Sequence, residues 1–292
     1  MRRIIATVAT AGTAALLAPA IAAPAYAQAP AANPVSALAK QIKPMRGVHV
    51  TSAAKVSAEG MSLFKFRSEG DLQFGRSGVA ASDLTSKSDF DGLFGGDDDL
   101  AGMKNPLRTI NINGTSYLSG GVYDDMLPAG KSWLRMPGGN PASLDGTLGI
   151  NPFDTGTLKA VLATAKGKSN GGTVDGIRTT VYRGSITLRQ LYASSPATKK
   201  QLKNLKPADA KTTINWKLWI GADQLIRRLT TSTTTTFKYK KTSMDMSMTG
   251  DTKFSKWGQK TSITAPPARD VASMADIVGE LPEVPDVINL GD

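Results

Sequence analysis

Cysteine is absent from this 292-residue sequence, and histidine occurs once, at His49. An exported protein without disulfides has to be stabilised by its core alone, and a lipid anchor attached to a cysteine is excluded. A zinc site or a Ser-His-Asp triad would have to use His49, which lies on the polar side of a predicted strand. We therefore expect no catalytic site, no metal site and no cofactor, which means that the protein is not an enzyme.

One pattern resembles a catalytic motif. Gly167-Lys168-Ser169-Asn170-Gly171 has the spacing of a nucleophile elbow, which needs a strand before the serine, a helix after it and its histidine downstream. Here we predict a helix before Ser169 and a strand after it, and His49 lies upstream. A hydrolase built on these two residues is the enzyme class that competes with our interpretation.

Long apolar runs are missing beyond the N-terminal region. Arg2 and Arg3 precede an alanine-rich run through Ile21, and Ala25-Tyr26-Ala27 matches the cleavage pattern of a secretory signal peptide. The run is too short to span a bilayer. We expect a secreted, extracytoplasmic protein that is not lipid-anchored, exported by the Sec or the twin-arginine route. The expected organisation is a signal peptide over 1–27, one domain over 28–280 and a flexible tail over 281–292.

Acidic residues are outnumbered by basic ones. The sequence has 24 Asp and Glu against 35 Lys and Arg, a net charge of +11, and the excess is spread along the chain. Anionic lipid headgroups or wall polymers would attract such an exported protein without specific contacts, and a merely solvated basic surface is the alternative. We expect a monomer, and nucleic acid is not an expected partner.

A hairpin in the middle of the sequence predicts an antiparallel sheet. Asp175-Gly176 has the composition of a two-residue type I′ turn, and after it Tyr182, Ile186 and Leu188 share one parity with polar residues between them. This alternation is typical of a strand with one apolar and one solvated face, which antiparallel sheets show. Asn113-Gly114 indicates a second hairpin of the same kind.

Helices are predicted before, within and after the strands. Asn33-Pro34, Asn151-Pro152 and Ser195-Pro196 each place a capping side chain before a proline in the first helical position, and the spacing of Val271, Met274, Ala275 and Val278 predicts a last helix. Their apolar faces have to cover the apolar face of the sheet. The predicted fold class is α+β, a single strongly curved antiparallel β-sheet (half-barrel) with helices packed on its concave face.

Three segments of the sequence resemble LppX/LprG-type actinobacterial lipoproteins. The first is 173–184, with its Val-Asp-Gly and Tyr-x-Gly elements, and the second is 219–229. The third is Trp257-Gly258-Gln259 followed by Thr264-Ala265-Pro266-Pro267. The order of the segments carries the resemblance, which is clearest over 105–278. It implies a half-barrel akin to the LolA/LolB lipoprotein carriers and an apolar cavity that carries acylated lipids across the cell envelope. That family is usually lipid-anchored, so the missing cysteine favours free shuttling between membranes, or action outside the membrane, over tethered transfer.

The binding site is expected on the apolar face of the sheet and on the helix that covers it. The expected lipid-binding residues are Tyr182, Ile186, Leu188, Trp216, Leu218, Met244, Met246, Met248, Leu158, Val161 and Leu162. The last three face either a lipid or a packed core. The leading interpretation is an exported binding protein that carries or sequesters acylated lipid or lipoglycan in an apolar cavity. The alternatives are a structural or wall-associated envelope protein with a filled core and, less favoured, a protein that binds Cu(I) through its methionine row.

Overall fold

The computed structural model of the protein describes residues 33–90, 105–203, 206–207, 209–239 and 242–277. The predicted signal peptide and the predicted C-terminal tail lie outside these ranges, as does most of the aspartate-rich segment that begins at Asp89. None of the described helices is long and apolar enough to cross a membrane.

Strands dominate the described residues and join in a single sheet that stays open at both ends. The strand order is β12-β6-β5-β4-β3-β2-β1-β11-β10-β9-β8-β7. The strands are β1 (Arg46–Ala58), β2 (Met61–Phe74), β3 (Val79–Asp89), β4 (Leu107–Ile112), β5 (Thr115–Gly120), β6 (Trp133–Pro137), β7 (Ala165–Val174), β8 (Ile177–Thr187), β9 (Thr213–Gly221), β10 (Ile226–Tyr239), β11 (Thr242–Lys260) and β12 (Val271–Ser273).

The helices are short and lie before, between and after the groups of strands. They are α1 (Pro34–Gln41), α2 (Thr155–Ala163), α3 (Leu188–Ser194), α4 (Pro196–Gln201) and α5 (Met274–Ile277). The side chain of Asn33 caps α1 and that of Ser195 caps α4, each followed by proline, as the sequence predicts. The α+β prediction, with one large sheet and helices, is confirmed. The pairing is antiparallel throughout except between β12 and β6, which run parallel.

Two predicted helices have different bounds in the structure. Helix α2 begins at Thr155 and not at Pro152, because the Asp154 carboxylate accepts a hydrogen bond from the backbone N–H of Thr157 at 2.7 Å and caps the helix there. The C-terminal segment forms β12 first, pairing Val271 with Trp133, and only then the single turn of α5. Val278 lies outside the described residues.

The two faces of the central strands differ as the alternation predicts. The covered face, on which the helices pack, carries Ile186, Leu218, Leu229 and Phe254, all buried to 2% exposure or less. The open face carries exposed polar residues such as Arg183, which lies between two covered-face neighbours in β8. Both predicted turns are confirmed, since Asp175-Gly176 joins β7 to β8 and Asn113-Gly114 joins β4 to β5 with positive φ at all four residues.

Candidate functional site: the covered face of the sheet and the cavity beside it

The predicted lipid-binding residues of β8, β9 and α2 come together in one hydrophobic cluster. Ile186, Trp216 and Leu218 lie on the covered face of the sheet and meet Leu158 and Val161 of α2, and each is at most 2% exposed. The indole nitrogen of Trp216 donates a hydrogen bond to Thr164 Oγ1 at 3.2 Å, which ties the sheet to the end of α2. In this structure the layer between helices and sheet is filled by protein side chains.

Three further predicted residues lie at the margin of this cluster. Tyr182, Leu162 and Leu188 are partly buried against it. The prediction that Leu188 continues the strand is wrong, because Leu188 is the first residue of α3. Thr187 and Gln190 form a capping box, in which each side chain binds the backbone of the other residue, and this ends the strand. The Thr-x-x-Gln spacing in the sequence already indicates that a helix begins at this point.

The methionine row occupies a different part of the covered face. Met244 and Met246 are partly buried and Met248 is 39% exposed. In the neighbouring strand β1, Met248 pairs with Val56 and Met246 with Ala58. None of the three belongs to the cluster around Trp216.

A backbone crossing separates the two parts of the covered face. The short 3₁₀ turn Asp145–Thr147 lies directly on β10 and β11, where the hydroxyl of Thr231 donates to the carbonyl oxygen of Gly146 at 3.0 Å. The backbone N–H of Gly146 donates to Ser52 Oγ at 3.2 Å, which fixes the same turn to β1. The turn has no room to shift toward the sheet, because a Cβ on Gly250 would lie 2.0 Å from the Gly146 oxygen.

A cavity of about 860 Å³ opens beside the helix layer. It lies between the β2–β3 turn, the loop after β6, the segment before α2 and the helix α4. Three exposed cationic residues, Arg76, Lys200 and Lys203, line it. The acidic residue at its wall is Asp154, whose carboxylate is already engaged in capping α2. A cavity of this size lies within the range of small-molecule sites, about 300–1,000 Å³.

Phe153 connects this cavity to the core. It lines the cavity, yet it is 2% exposed. Its ring lies 5.9 Å from that of Phe74, 5.6 Å from that of Phe254 and 6.1 Å from that of Trp257, centroid to centroid. The cavity therefore has cationic walls toward solvent and ends on an aromatic cluster that belongs to the core.

Phe153 is not among the predicted site residues, because the Asn151-Pro152 pattern places it in the first turn of a predicted helix. In the structure the Asn151 side chain accepts a hydrogen bond from the backbone N–H of Phe153 at 3.0 Å, in a turn that precedes α2. An Asn-Pro pair permits this turn as well as a helix start. The Asp154-x-x-Thr157 spacing, with a capping residue directly after Phe153, is the available signal.

The residues of the alternative hydrolase lie far apart. Ser169 is in β7 and His49 in β1, five strands away in the sheet, about 24 Å at the usual strand spacing. His49 lies instead between Asp71, 2.8 Å from its Nδ1, and Glu69, 3.2 Å from its Nε2. Ser169 lies within strand β7 and not in a helix-to-strand loop, which corrects the sequence prediction. Among the described residues, no group of three or more His, Cys, Asp or Glu side chains is placed to hold a metal ion.

Comparison with known proteins gives likenesses in structure only. No protein-family model matches the chain, and no curated protein matches it at a significant level. LprF of Mycobacterium bovis is similar over 80% of this chain and 95% of its own, with 16% identity and a TM-score of 0.43. A DUF1329-family protein of Desulfovibrio piger is similar over 80% of this chain and 95% of its own, with 14% identity and a TM-score of 0.24. A LolA-superfamily protein of Nitrosomonas europaea is similar over 79% of this chain and 93% of its own, with 8% identity and a TM-score of 0.25.

These likenesses agree with the resemblance of the sequence to the LppX/LprG type and to the LolA carriers. They concern the fold alone. At such identities and TM-scores, what the chain does has to be argued from its own cavity, core and surface.

Proposed function

We propose that this protein is an exported, non-enzymatic carrier of amphiphiles with long acyl chains. The acyl chain lies between the sheet and the helix layer, against Ile186, Trp216 and Leu218 on one side and Leu158, Val161 and Leu162 on the other. The polar head stays in the 860 Å³ cavity. The observation that carries the proposal is Phe153, which is at once a wall of that cavity and a member of the aromatic cluster of the core.

Loading requires the helix layer to move, because the layer is filled in the described conformation. The helices that would move are short and are joined to one another by hydroxyl groups. Thr157 Oγ1 of α2 lies 2.8 Å from Thr198 Oγ1 of α4 and 3.2 Å from Ser194 Oγ of α3. Helices linked in this way can separate from the sheet as one unit, and the chain of the ligand then replaces the contacts that they lose.

The apolar chain supplies most of the affinity. Burial of each CH₂ contributes about 0.8 kcal/mol, roughly a four-fold gain in affinity. The cavity cations Arg76, Lys200 and Lys203 are exposed, and ion pairs at such positions contribute about 0–1 kcal/mol. The protein therefore binds several lipids or lipoglycans that share long chains and differ in their headgroups.

The experiment is a calorimetric series of saturated fatty acids from laurate to stearate, beside the alcohols of matching length. The proposal predicts that affinity rises with each added CH₂ and that acid and alcohol of one length differ by less than about five-fold. An affinity that is independent of chain length, or no binding at any length, contradicts it.

A structural or wall-associated envelope protein with a filled core is the second candidate. The observation that favours it is the burial of Ile186 and Trp216 to 2% exposure or less, since protein side chains surround both residues in this conformation of the layer. A protein of this kind yields no bound lipid on solvent extraction after purification from its native host, whereas the carrier yields acylated lipid. Binding of Cu(I) by Met244, Met246 and Met248 stays a prediction, which titration with Cu(I) would test.

A further inference from the structure

We propose that the open face of the sheet, between β8 and β3, is a docking surface for an anionic phospholipid bilayer. The proposal concerns where the protein attaches and not what it carries, so it stands apart from the carrier function. It depends on how the sheet register arranges basic side chains on this face.

The register places two cationic side chains directly opposite each other at several points. The opposed pairs are Arg183 and Lys217, Arg67 and Lys87, Lys55 and Lys65, and Arg228 and Lys253. Like charges directly opposite in neighbouring strands destabilise a sheet. Each opposed pair therefore lowers the stability of the sheet unless an anion lies beside it.

Two of the opposed pairs have no compensating carboxylate. Arg228 is held by Asp251 at 2.8 and 2.5 Å, and Lys65 lies 3.3 Å from Asp89. In the described parts of the chain, no ion pair involves Arg183, Lys217, Arg67 or Lys87, and all four are exposed.

Two acidic residues on the same face are also directly opposed, but each of them has a hydrogen-bond partner within the protein. Asp71 and Asp83 are paired in the register of β2 and β3. The carboxylate of Asp83 accepts two hydrogen bonds from Arg108, at 2.9 and 2.7 Å, and these raise the pKa of that guanidinium. Asp71 receives a hydrogen bond from Gln259 at 2.9 Å and lies beside His49. Both opposed acids thus have partners within the protein, whereas the cations Arg183, Lys217, Arg67 and Lys87 have no ion-pair partner among the described residues and can bind an external anion.

The arrangement of the cations favours a surface over a linear polymer. Arg183 with Lys217 and Arg67 with Lys87 lie at the two ends of one row across the sheet, with Thr230, Asp251 and Ala53 between the two pairs. Lys55 with Lys65 and Lys253 lie in the rows on either side. The row from β8 to β3 crosses six strand spacings, about 29 Å. An array that extends in two dimensions matches the headgroup plane of a bilayer, while a single polyanionic chain would need one row.

A groove of about 470 Å³ lies on this face and gives a headgroup room to enter. Lys166, Arg183 and Lys217 line it together with hydroxyl and amide side chains of the neighbouring strands, Ser185, Asn215, Thr230, Ser232 and Thr249. Cations and hydrogen-bond donors at one point are what a phosphodiester oxygen requires.

The test compares two double variants of the full chain that lose the same charge. Arg183→Gln/Lys217→Gln removes one opposed pair, and Lys40→Gln/Lys159→Gln removes two exposed cations from α1 and α2. Co-sedimentation is measured with vesicles of phosphatidylcholine, with and without phosphatidylglycerol, at low and at high sodium chloride. Each cation near an anionic bilayer contributes about five-fold in partitioning, so we expect roughly 30-fold weaker binding of the first variant to the anionic vesicles.

The expected pattern is binding to the anionic vesicles alone, weakened by salt, with the control variant within about three-fold of the unaltered protein. Equal losses in both variants would show that net charge alone is responsible and would overturn the proposal. The proposal would also be overturned if Arg183→Gln/Lys217→Gln lost binding to soluble polyphosphate but kept its binding to the anionic vesicles.

Stability and cargo are measured on the same samples. Removing one opposed pair relieves repulsion, so the melting temperature of Arg183→Gln/Lys217→Gln should equal or exceed that of the unaltered protein. If Arg183→Gln/Lys217→Gln does not fold, Arg67→Gln/Lys87→Gln takes its place, and the same roughly 30-fold loss of binding to the anionic vesicles is expected. Palmitate affinity should be unchanged, so a failed docking result and a failed carrier result are read separately.

Discussion

Gly146 and Gly250 lie against each other with no space for a side chain between them. The Gly146 carbonyl oxygen is 2.0 Å from the position that a Cβ on Gly250 would take, and Thr231 Oγ1 is 2.7 Å from it. The 3₁₀ turn Asp145–Thr147 therefore rests on the backbone of β11. This contact divides the covered face into a packed aromatic part and a partly exposed methionine part.

Replacing Gly250 by alanine should lower the free energy of unfolding by about 3 kcal/mol or more. Overpacking against side chains costs about 1–3 kcal/mol, and here the obstacle is backbone, which cannot rotate away. Chemical denaturation measures the change. Gly167→Ala is the matched control, because its Cβ would have ordinary contacts with the Arg183 side chain, the nearest at 3.4 Å. A Gly250→Ala protein as stable as this control would show that the turn does not rest on the strand.

The hydroxyl cluster between α2 and α4 offers a double-mutant cycle. Thr157 and Thr198 are both fully buried and their Oγ1 atoms lie 2.8 Å apart. We expect Thr157→Val or Thr198→Val alone to cost about 1–3 kcal/mol, because each leaves buried polar groups without their partner. The double variant should cost less than the sum, with a coupling of about 0.5 kcal/mol or more.

Additive costs in that cycle would mean that the two helices are not linked through these hydroxyls. The helix layer would then have no reason to move as one unit, and that step of the carrier proposal would be withdrawn. The measurement is urea unfolding of the four proteins at one pH.

Asp276 should make stability depend on pH in the acid range. Its carboxylate accepts hydrogen bonds from the backbone N–H and the hydroxyl of Ser273, both at 2.7 Å, and these lower its pKa from 3.8. A carboxyl with a lowered folded-state pKa contributes stability above its unfolded pKa and loses it as pH falls through the folded value. Asp276→Asn should therefore be less stable than the unaltered protein at neutral pH. The difference should shrink as pH falls below 3.8, and a difference that stays constant would assign the effect to shape and not to charge.

Filling the cavity beside the helix layer should block loading without unfolding the protein. Ala197 is exposed and lines this cavity, while Ala193 is exposed on α3 and does not. We expect Ala197→Trp to weaken palmitate binding at least ten-fold, since the indole occupies the entrance, and to change stability by no more than about 0.5 kcal/mol. Ala193→Trp is the control and should bind as the unaltered protein does. Equal affinities in both variants would place the entrance elsewhere.

The sequence predicts best the features that local chemistry decides. The Asp175-Gly176 and Asn113-Gly114 turns and the caps at Asn33 and Ser195 need no distant contact, and all are found in the structure. Leu188 was assigned wrongly because two local signals compete there. Strand alternation continues through it, while the Thr187-x-x-Gln190 capping box starts a helix, and the capping box prevails.

Other features depend on residues that are distant in the sequence. The contact of Gly146 with Gly250 joins a loop to a strand more than a hundred residues later, and no local pattern in either segment predicts it. The cavity likewise combines Arg76, Phe153 and Lys200 from three separate segments. The open face could be predicted as basic from alternation, but the opposition of Arg183 to Lys217 requires the register between β8 and β9.

The most direct test of the carrier proposal is quenching of tryptophan fluorescence by palmitate brominated along its chain. Trp257 lies in the aromatic cluster next to Phe153 and Phe74, whereas Trp219 lies on the open face under Arg228, 5.0 Å from the guanidinium. If the chain enters the layer past Phe153 and reaches Trp216, quenching should saturate at one equivalent, persist in Trp219→Phe and be largely lost only when Trp216 and Trp257 are both replaced by Phe. Absence of quenching in the unaltered protein at saturating palmitate, or its loss in Trp219→Phe instead, would contradict the account.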